Sequence, residues 1–148
     1  PAGLALWAGP FCNAANALGL ETLAALGMSG AFVSPELGER DILTLCRQSP
    51  LPLGIVLSGH WPLCISRTLA DGMRLRDPFV SPRGEQAWVD RHGPDYWIYP
   101  NWKLDLTEKR APLQRAGIRM FAHLDEPVPK SVTIKKRQGL WNWTIGLK

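Results

Sequence analysis

The feature that most limits the fold of this chain is an alternation of short apolar segments and helical patterns near its start. The apolar segments cover residues 4–8, 31–34 and 53–57. Apolar residues at helical spacing follow the first two segments, over residues 13–27 and 39–47. Strands and amphipathic helices that alternate at this spacing predict parallel strands joined by right-handed crossovers. We therefore expect an α/β fold.

The first helical pattern also carries signals for both of its ends. Leu20 and Leu23 lie on one face at helical spacing. Asn13 or Asn16 can cap the start through a side-chain oxygen, and Gly27 suits the position after the last turn. These signals predict a strand, a loop and a helix, a unit that the second helical pattern repeats.

The alternation stops after residue 57. Residues 59–94 are rich in Pro, Gly, Arg and Asp and contain no long helical pattern. Within them, residues 73–77 and 86–91 alternate apolar with polar side chains, which predicts a small antiparallel hairpin. We therefore expect a β-hairpin insertion over about residues 68–94.

The alternation of strand and helix resumes beyond this insertion. It predicts a strand at residues 96–99, a helix at 104–116, a strand at 118–124 and an extended tail over about 127–148. A closed eight-fold barrel takes about 250 residues, so a chain of 148 residues is too short to form one. The expected architecture is a single domain over residues 1–148, either a small open α/β sheet or part of a TIM-barrel-like (β/α) fold.

The composition narrows the class of protein. Hydrophobic residues make up 45% of the chain and charged residues 20%, which is typical of a globular domain rather than a disordered chain. The formal net charge of +4 is scattered apart from a short basic run at residues 135–137. A nucleic-acid surface is therefore not predicted, although nucleic-acid binding is not excluded. No apolar run reaches the roughly 20 residues needed to span a bilayer, so no membrane segment is predicted.

The cysteines bear on the compartment and on metal binding. Cys12, Cys46 and Cys64 are odd in number and widely spaced, and no CxxC pair occurs. This spacing argues against a disulfide framework and a zinc ribbon, and it favours a reducing, cytoplasmic location. We expect Cys46 and the segment at residues 62–65, which contains Cys64, to pack in the interior. No metal site and no cofactor are predicted.

The candidate functional residues lie just past the predicted strands. In parallel α/β folds, the loops at the carboxyl ends of the strands meet, and helix N-termini point N–H groups at the same space. Amides, carboxylates, an imidazole and a guanidinium are available there to line a pocket. The polar residues concerned are Asn13, Asn16, Ser34, Glu36, Ser58, His60, Arg67, Asn101, Asp125 and Glu126.

These residues also have a purely structural interpretation. Asn13 and Asn16 can cap the following helix, and Glu36 can complement a helix dipole. His60 can be a hydrogen-bonded loop residue. A nucleophile pair of Cys64 and His60 would need a third group to orient the imidazole, and the sequence identifies none. The chain has no GxSxG, HExxH or glycine-rich phosphate motif, which argues against the common hydrolase and nucleotide-binding classes.

Several segments, taken in order, resemble the collagenase-like peptidase family, U-32. They are Asn13-Ala-Ala-Asn16, Leu26-Gly27, the turn Val33-Ser-Pro-Glu-Leu37 and the stretch Ser58-Gly-His-Trp-Pro-Leu-Cys-Ile-Ser-Arg67, followed by Leu75-Arg-Asp77 and Tyr99-Pro-Asn101. The resemblance spans roughly residues 5–125. One departure is that the histidine which precedes the glycine in the family is Ser58 in this chain, while His60 follows the glycine.

The resemblance implies a TIM-barrel-like domain of which this chain is the C-terminal half, and an enzyme that acts on a peptide or protein substrate. We interpret Glu36 and His60 as the acid–base residues, since a carboxylate and an imidazole can relay a proton near neutral pH. Arg67 can hold an anionic substrate group. The substrate-binding residues that we expect are Asn13, Asn16, Ser34, Arg67 and Asn101.

Two alternatives stay open. Several relatives in the family act instead in hydroxylation of RNA bases or of a quinone precursor, some of them with an iron–sulfur cluster. Three scattered cysteines cannot supply the four thiolates of an ordinary cluster, so we predict none in this chain. The second alternative is a non-catalytic binding domain. Since half a barrel exposes two open sheet edges, we also expect self-association, and an isolated half without activity.

Overall fold

The computed structural model describes residues 3–81 and 84–136 together with Trp143. These residues form two compact units. The parallel-sheet unit comprises residues 3–58 and 105–123 with Trp143, and the antiparallel-sheet unit comprises the described residues of 59–104 and 124–136. The protein is a mixed α/β protein with one mostly parallel sheet and one antiparallel sheet.

The described residues contain nine strands and three α-helices. The strands are β1 (Trp7–Ala8), β2 (Gly30–Phe32), β3 (Leu53–Gly59), β4 (Cys64–Ser66), β5 (Pro78–Val80), β6 (Gln86–His92), β7 (Asp95–Pro100), β8 (Leu104–Asp105) and β9 (Ile118–Leu124). The helices are α1 (Ala17–Ala25), α2 (Glu39–Gln48) and α3 (Arg110–Ala116), with 3-10 turns at Pro10–Cys12 and Thr107–Lys109. In this part of the chain, no helix has the length and apolar character needed to cross a membrane.

The larger sheet contains the predicted alternation of strand and helix. Its order is β1-β2-β3-β8, and β9 also pairs with β3. β1 and β2 are parallel, with Trp7 opposite Gly30, and β2 and β3 are parallel, with Phe32 opposite Gly54. The connections between these strands contain α1 and α2. The parallel strand–helix repeat that the sequence predicts is therefore confirmed from β1 to β3.

Helix α1 begins and ends where the sequence signals predict. Oδ1 of Asn16 accepts a hydrogen bond from the Gly19 N–H at 2.8 Å, which satisfies one of the free N–H groups of the first turn. Gly27 has a φ of +85°, in the left-handed region that glycine enters without strain. Asn13 is not the cap of α1, because it ends the preceding 3-10 turn with a φ of +51°.

The interior of the parallel-sheet unit is mostly aliphatic. Strand β3 supplies Ile55, Val56 and Leu57, and α1 and α3 supply Leu20 and Leu113, all of them almost fully buried. Burying one such side chain contributes roughly 1.5–3 kcal/mol relative to leaving it exposed. A strand buried on both faces shows in the sequence as a continuous apolar run. The sequence signal for β3 is strong for that reason.

The smaller sheet is antiparallel and has the order β4-β7-β6-β5. Its central hairpin is formed by β6 and β7, with His92 opposite Asp95 and a turn in which Gly93 has a φ of +60°. Trp88 lies opposite Tyr99 in this hairpin, and the two rings stack with their centroids 5.4 Å apart. Val132 belongs to the same buried cluster, against which Trp97 and Val128 pack, so the core of this sheet is largely aromatic.

Arg76, in the segment that precedes β5, has a φ of +64°, which is unusual for a residue other than glycine. Its backbone and its side chain both form hydrogen bonds. Its N–H donates to the carbonyl of Val89 at 2.8 Å, and its guanidinium is 2.5 Å from Oδ2 of Asp90. The hydroxyl of Ser131 donates to the carbonyl of Arg76 at 3.2 Å. Backbone and side chain together therefore hold this residue against β6 and the segment after β9.

Two sequence predictions for the antiparallel region are wrong. Residues 73–77 form no strand, and β6 pairs instead with β5 and β7. Residues 96–99 do form a strand, but it lies in the antiparallel sheet rather than beside the parallel strands. Alternating side chains identify a strand without identifying its partner, because pairing depends on contacts between distant residues. The sheet consequently extends beyond the predicted insertion on both sides, to β4 and β7.

Helix α3 is shorter than the helix predicted at residues 104–116. Leu104 and Asp105 form β8, after which Oδ1 of Asp105 accepts hydrogen bonds from the N–H and the hydroxyl of Thr107 at 3.0 and 2.6 Å. An aspartate that binds the backbone two residues further on closes a turn and competes with helix formation. The helix therefore starts only at Arg110. The strand predicted at residues 118–124 is confirmed as β9.

The first strand of the chain is shorter than predicted. Of the strand predicted at residues 4–8, only Trp7 and Ala8 form β1, while Leu4 and Leu6 are 73% and 58% exposed. In the predicted tail, residues 127–136 form neither helix nor strand. The rest of that tail lies outside the described residues, apart from Trp143.

Candidate functional site

The segments that follow β1 and β2 are bonded to each other at the carboxyl edge of the parallel sheet. Ala14 forms a parallel bridge with Val33, just beyond the two strands. The N–H of Ser34 donates to the carbonyl of Ala14 at 3.0 Å. Asn13 and Asn16 flank Ala14 closely in the chain, so the loop that carries them adjoins Ser34. This is the arrangement that converging loops at parallel strand ends predict.

The turn after β2 combines a buried serine with an exposed carboxylate. Ser34 is buried, and its Oγ accepts a hydrogen bond from the N–H of Glu36 at 3.3 Å. A serine hydroxyl that binds the backbone two residues on stabilises a turn. Glu36 is exposed, so the turn presents its carboxylate at the carboxyl end of β2. A carboxylate in this position can exchange a proton with a ligand or bind a ligand donor.

A small cavity lies beside Asn16, lined by residues at the start of α1 and by residues of α2. Its volume of about 170 Å³ is below the roughly 300–1,000 Å³ typical of ligand pockets. Of the predicted site residues, Asn16 alone contributes to its lining, so this cavity differs from the predicted polar rim. The lining residues are Ala15, Asn16, Ala17, Asp41, Thr44, Leu45 and Gln48.

His60, which follows β3, is buried with 1% of its surface exposed. Its ring meets the ring of Trp88 edge-on, with centroids 5.1 Å apart, and neither ring nitrogen has a hydrogen-bond partner among the residues that the structure describes. The pKa of His60 is lowered from 6.5 to about 4, mainly by burial and also by the charge of Lys103, while the charge of Asp125 opposes both. The imidazole is therefore neutral at pH 7, and its predicted acid–base role stays a prediction.

Arg67 and Asn101 follow β4 and β7, which are strands of the antiparallel sheet, so their predicted position at the ends of parallel strands is wrong. The Arg67 side chain is 92% exposed, and its Nε is 4.0 Å from Oδ1 of Asp95, an ion pair that contributes little in solvent. Asn101 is buried; its Nδ2 donates to the Thr133 carbonyl at 3.2 Å, and its carbonyl accepts from the Lys135 N–H at 2.6 Å. Arg67 is thus accessible to a ligand, whereas Asn101 holds a neighbouring segment in place.

The predicted site residues divide between the two units. Four of them lie at one edge of the parallel sheet, in the loop after β1 and the turn after β2. The other three belong to the antiparallel-sheet unit, where each makes different contacts. The first group is Asn13, Asn16, Ser34 and Glu36, and the second group is His60, Arg67 and Asn101.

A serine–histidine pair links β3 and β9. Oγ of Ser58 lies 2.7 Å from Nδ1 of His123. Ser58 is half-buried and His123 is exposed. The sequence places Ser58 at a strand end but gives no signal for His123, because only the pairing of β9 with β3 brings the two side chains together.

A second polar cluster surrounds Tyr99 in the antiparallel-sheet unit. The Tyr99 hydroxyl lies 3.1 Å from Nε2 of His92, and the same nitrogen lies 3.9 Å from Oε2 of Glu126. The ring of Trp97 stacks on that of His92 with centroids 4.4 Å apart. Burial raises the pKa of Tyr99, and the carboxylates of Glu126 and Asp90 raise it further. The hydroxyl therefore stays neutral and acts as a hydrogen-bonding group.

The three cysteines are free thiols. Cys64 is exposed on β4, at the edge of the antiparallel sheet, so the prediction that it packs in the interior is wrong, as it is for its exposed neighbours Leu63 and Ile65. Cys46 is half-buried, and burial raises the pKa of its thiol. The described residues contain no group of three His, Cys, Asp or Glu side chains placed to hold a metal ion.

Comparison with family models, with curated proteins and with solved structures gives no match for this chain. The groups that could carry out chemistry are therefore identified from the structure of this chain. The groups available at the carboxyl ends of the central strands are the exposed carboxylate of Glu36 after β2 and the pair of Ser58 and His123 on β3 and β9.

Proposed function

We propose that this chain is the C-terminal half of the barrel domain of a U-32-like peptidase, with its substrate pocket at the carboxyl ends of the parallel strands. The observation that carries the proposal is the arrangement at that edge, where the loop after β1 is bonded to the end of β2. In parallel α/β barrels, the loops at this face supply the binding and catalytic groups. The resemblance of the Ser-Pro-Glu-Leu turn at residues 34–37 to the family supports the same assignment.

The substrate in this proposal is a peptide or protein that lies across the loop after β1 and the turn after β2. Oδ1 of Asn16 is used as the cap of α1, so its Nδ2 group is the part that donates to a substrate carbonyl. Asn13 is exposed beside it and offers a second amide. Ser34 is buried and holds the turn, while Glu36 exchanges the proton. These assignments involve only residues of the parallel-sheet unit.

A cytoplasmic location belongs to the same proposal. All three cysteines are free, two of them exposed. Exposed thiols persist as thiols in a reducing compartment and form disulfides in an oxidising one.

Self-association is also part of the proposal. Strand β4 lies at one end of the antiparallel sheet, and both Leu63, which precedes it, and Ile65, within it, are exposed. An edge strand with exposed apolar side chains favours pairing with another chain. Sedimentation velocity over a concentration series should show species larger than a monomer, and a monomer at every concentration would contradict this expectation.

Peptide binding tests the position of the pocket. When the ¹⁵N-labelled chain is titrated with a mixture of gelatin peptides, the amide signals of Asn13, Ser34 and Glu36 should shift more than those elsewhere. Glu36→Gln should weaken binding. Glu39→Gln is the matched control, because Glu39 is also exposed, at the start of α2. Shifts confined to other parts of the chain would contradict the proposed pocket.

Cleavage tests the activity itself. The full natural protein that contains this chain should release fragments from fluorescently labelled gelatin. Loss of a general acid–base group typically lowers the rate about 100-fold or more, so Glu36→Gln should show a loss of that size and Glu39→Gln should not. Binding of peptides without cleavage by the full protein would contradict the peptidase proposal and favour the non-catalytic alternative.

A further inference from the structure

The hydrogen bond between Ser58 and His123 has the geometry of a nucleophile and its base. The 2.7 Å between Oγ and Nδ1 is within hydrogen-bond reach, as it is for serine nucleophiles and the histidines that activate them. A histidine that accepts this bond at Nδ1 carries its proton on Nε2. In that tautomer, Nδ1 can take up the hydroxyl proton when Oγ attacks an electrophile.

The pair lies at the carboxyl end of β3, the edge of the sheet where the proposed pocket is found. Since Phe32 is opposite Gly54, Ser58 stands beyond the level of Ser34 in the direction in which the strands run. Ser58 is half-buried and His123 is exposed, so a substrate can reach Oγ from solvent. Groups at this edge of a parallel sheet are the ones that contact ligands.

A close backbone contact holds the ends of β3 and β9 in register next to the pair. Gly59 has a φ of +130°, and a Cβ at this position would overlap the carbonyl oxygen of Leu124. Only glycine allows this approach without strain. Gly59 and Leu124 directly follow Ser58 and His123 in the chain. The two side chains are therefore placed by the backbone as well as by their own hydrogen bond.

We propose that Ser58 is a nucleophile and His123 its general base, in an acyl transfer that rests on the proposed peptidase function and names its nucleophile. Oγ of Ser58 bonds to the carbonyl carbon of the substrate while its proton passes to Nδ1 of His123. The carbon–nitrogen bond then breaks, and the same proton goes to the departing amine. Water next attacks the acyl-serine, the Glu36 carboxylate takes a proton from it and returns one to Oγ, and the acid product leaves.

The test uses a fluorophosphonate, which reacts with activated serines and leaves ordinary serines unmodified. The reaction forms a P–O bond at Oγ, passes the hydroxyl proton to His123 and releases fluoride. We expect one adduct on the wild-type full protein that contains this chain, located at Ser58 by peptide mass spectrometry. No adduct, or an adduct on a different serine, would overturn the proposal, and this result does not depend on whether any variant folds.

Variants then separate a catalytic role from a structural one. Ser58→Ala should abolish labelling, while Ser66→Ala should not change it, because the Ser66 hydroxyl is engaged with the Thr68 carbonyl at 2.8 Å. In His123→Asn, the amide can still hydrogen-bond to Ser58 but cannot take its proton. This variant should keep the wild-type circular dichroism and react about 100-fold more slowly. Labelling at the wild-type rate would overturn the general-base role.

The two proposals can fail separately. Cleavage of gelatin by the full protein with no adduct at Ser58 would overturn the serine nucleophile and leave the peptidase proposal standing. An adduct at Ser58 without cleavage of any peptide would support the nucleophile and contradict the peptidase proposal.

Discussion

The two units of this protein bury different kinds of side chain. The parallel-sheet unit is filled mostly by aliphatic residues such as Ile55 and Leu113, whose packing depends on volume and shape. The antiparallel-sheet unit buries the rings of Trp88, Tyr99 and His60. These rings carry polar groups that need a partner or must stay neutral. The first core is therefore stabilised mainly by apolar contact, whereas the stability of the second also depends on protonation.

The polar groups of the antiparallel-sheet unit are not equally supported. Tyr99 has His92 and Glu126 around its hydroxyl, and Asn101 is bonded to the segment at residues 133–135. The ring nitrogens of His60 have no such support among the described residues. A buried imidazole without a partner tolerates no charge, so His60 is the residue at which acid should act first.

Replacing Trp88 by Ala should cause the largest loss of stability. Trp88 is almost fully buried against the rings of His60 and Tyr99, so its removal leaves a cavity and should cost about 3–5 kcal/mol. Trp7→Ala is the counterpart in the parallel-sheet unit. Because Trp7 is only half-buried, against Phe32, this substitution should lower the free energy of unfolding by roughly half as much. Urea unfolding measures both losses, and equal losses would break the contrast between the cores.

Acid should destabilise the protein through His60 by the next largest amount. Its pKa of about 4 lies below the ordinary 6.5, so the unfolded chain binds the proton first as the pH falls. The contribution is complete above pH 6.5 and is lost as the pH falls to about 4 and below, by about 3 kcal/mol in all. His60→Leu should remove this loss, and His123→Gln, at an exposed histidine, should keep it. The measurement is the free energy of unfolding at neutral and at acid pH. If His60→Leu loses as much stability in acid as the wild type does, His60 is not the group responsible.

Substitutions at two glycines separate the cost of a close backbone contact at the end of β3 from the cost of a positive φ alone. Gly59→Ala adds a Cβ that overlaps the Leu124 carbonyl oxygen at a positive φ, and we expect a cost of at least about 2–3 kcal/mol. Gly72 also has a positive φ, +83°, but nothing lies near its Cβ position, so Gly72→Ala should cost only about 1 kcal/mol. Thermal unfolding gives both values. Similar shifts in melting temperature would show that the contact with Leu124 contributes nothing.

The smallest effect belongs to the cap of α1 in the parallel-sheet unit. Asn16→Ala removes the acceptor of the Gly19 N–H and should cost about 1 kcal/mol. Asn16→Asp keeps an acceptor oxygen in the same place and should stay within a few tenths of a kcal/mol of wild type. Neither change should alter the acid response of His60. If Asn16→Ala proves neutral in urea unfolding, the hydrogen bond does not stabilise the helix.

The parallel-sheet unit is the better predicted of the two, for a physical reason. Burial of β3 on both faces gives a continuous apolar run, and α2 has apolar residues at helical spacing, so both elements show in local sequence. The strand β7 shows equally well, yet its sheet could not be predicted, because its partners β4 and β6 are chosen by tertiary contacts. The exposure of the Leu4 and Cys64 side chains could not be predicted for the same reason.

In the candidate site too, contacts between residues close in the sequence could be predicted, whereas contacts between distant residues could not. Ser34 and Glu36 could be found because they follow a strand directly, and the structure places them in one turn. The contact between Ser58 and His123 joins residues 65 positions apart, so no local pattern contains it. His60 packs against Trp88 of β6, which is distant in the sequence, so the burial of His60 could not be predicted either.

Arg76 has a consequence for which residues its position tolerates. A left-handed backbone costs most side chains roughly 1–2 kcal/mol, whereas glycine adopts it freely and asparagine at little cost. Glycine there would ease the backbone but lose the ion pair with Asp90, an exchange that nearly cancels. Valine and isoleucine would lose on both counts. In a library of variants, position 76 should therefore retain arginine, glycine and asparagine and lose β-branched residues, while its exposed neighbours Arg74 and Leu75 accept almost any residue.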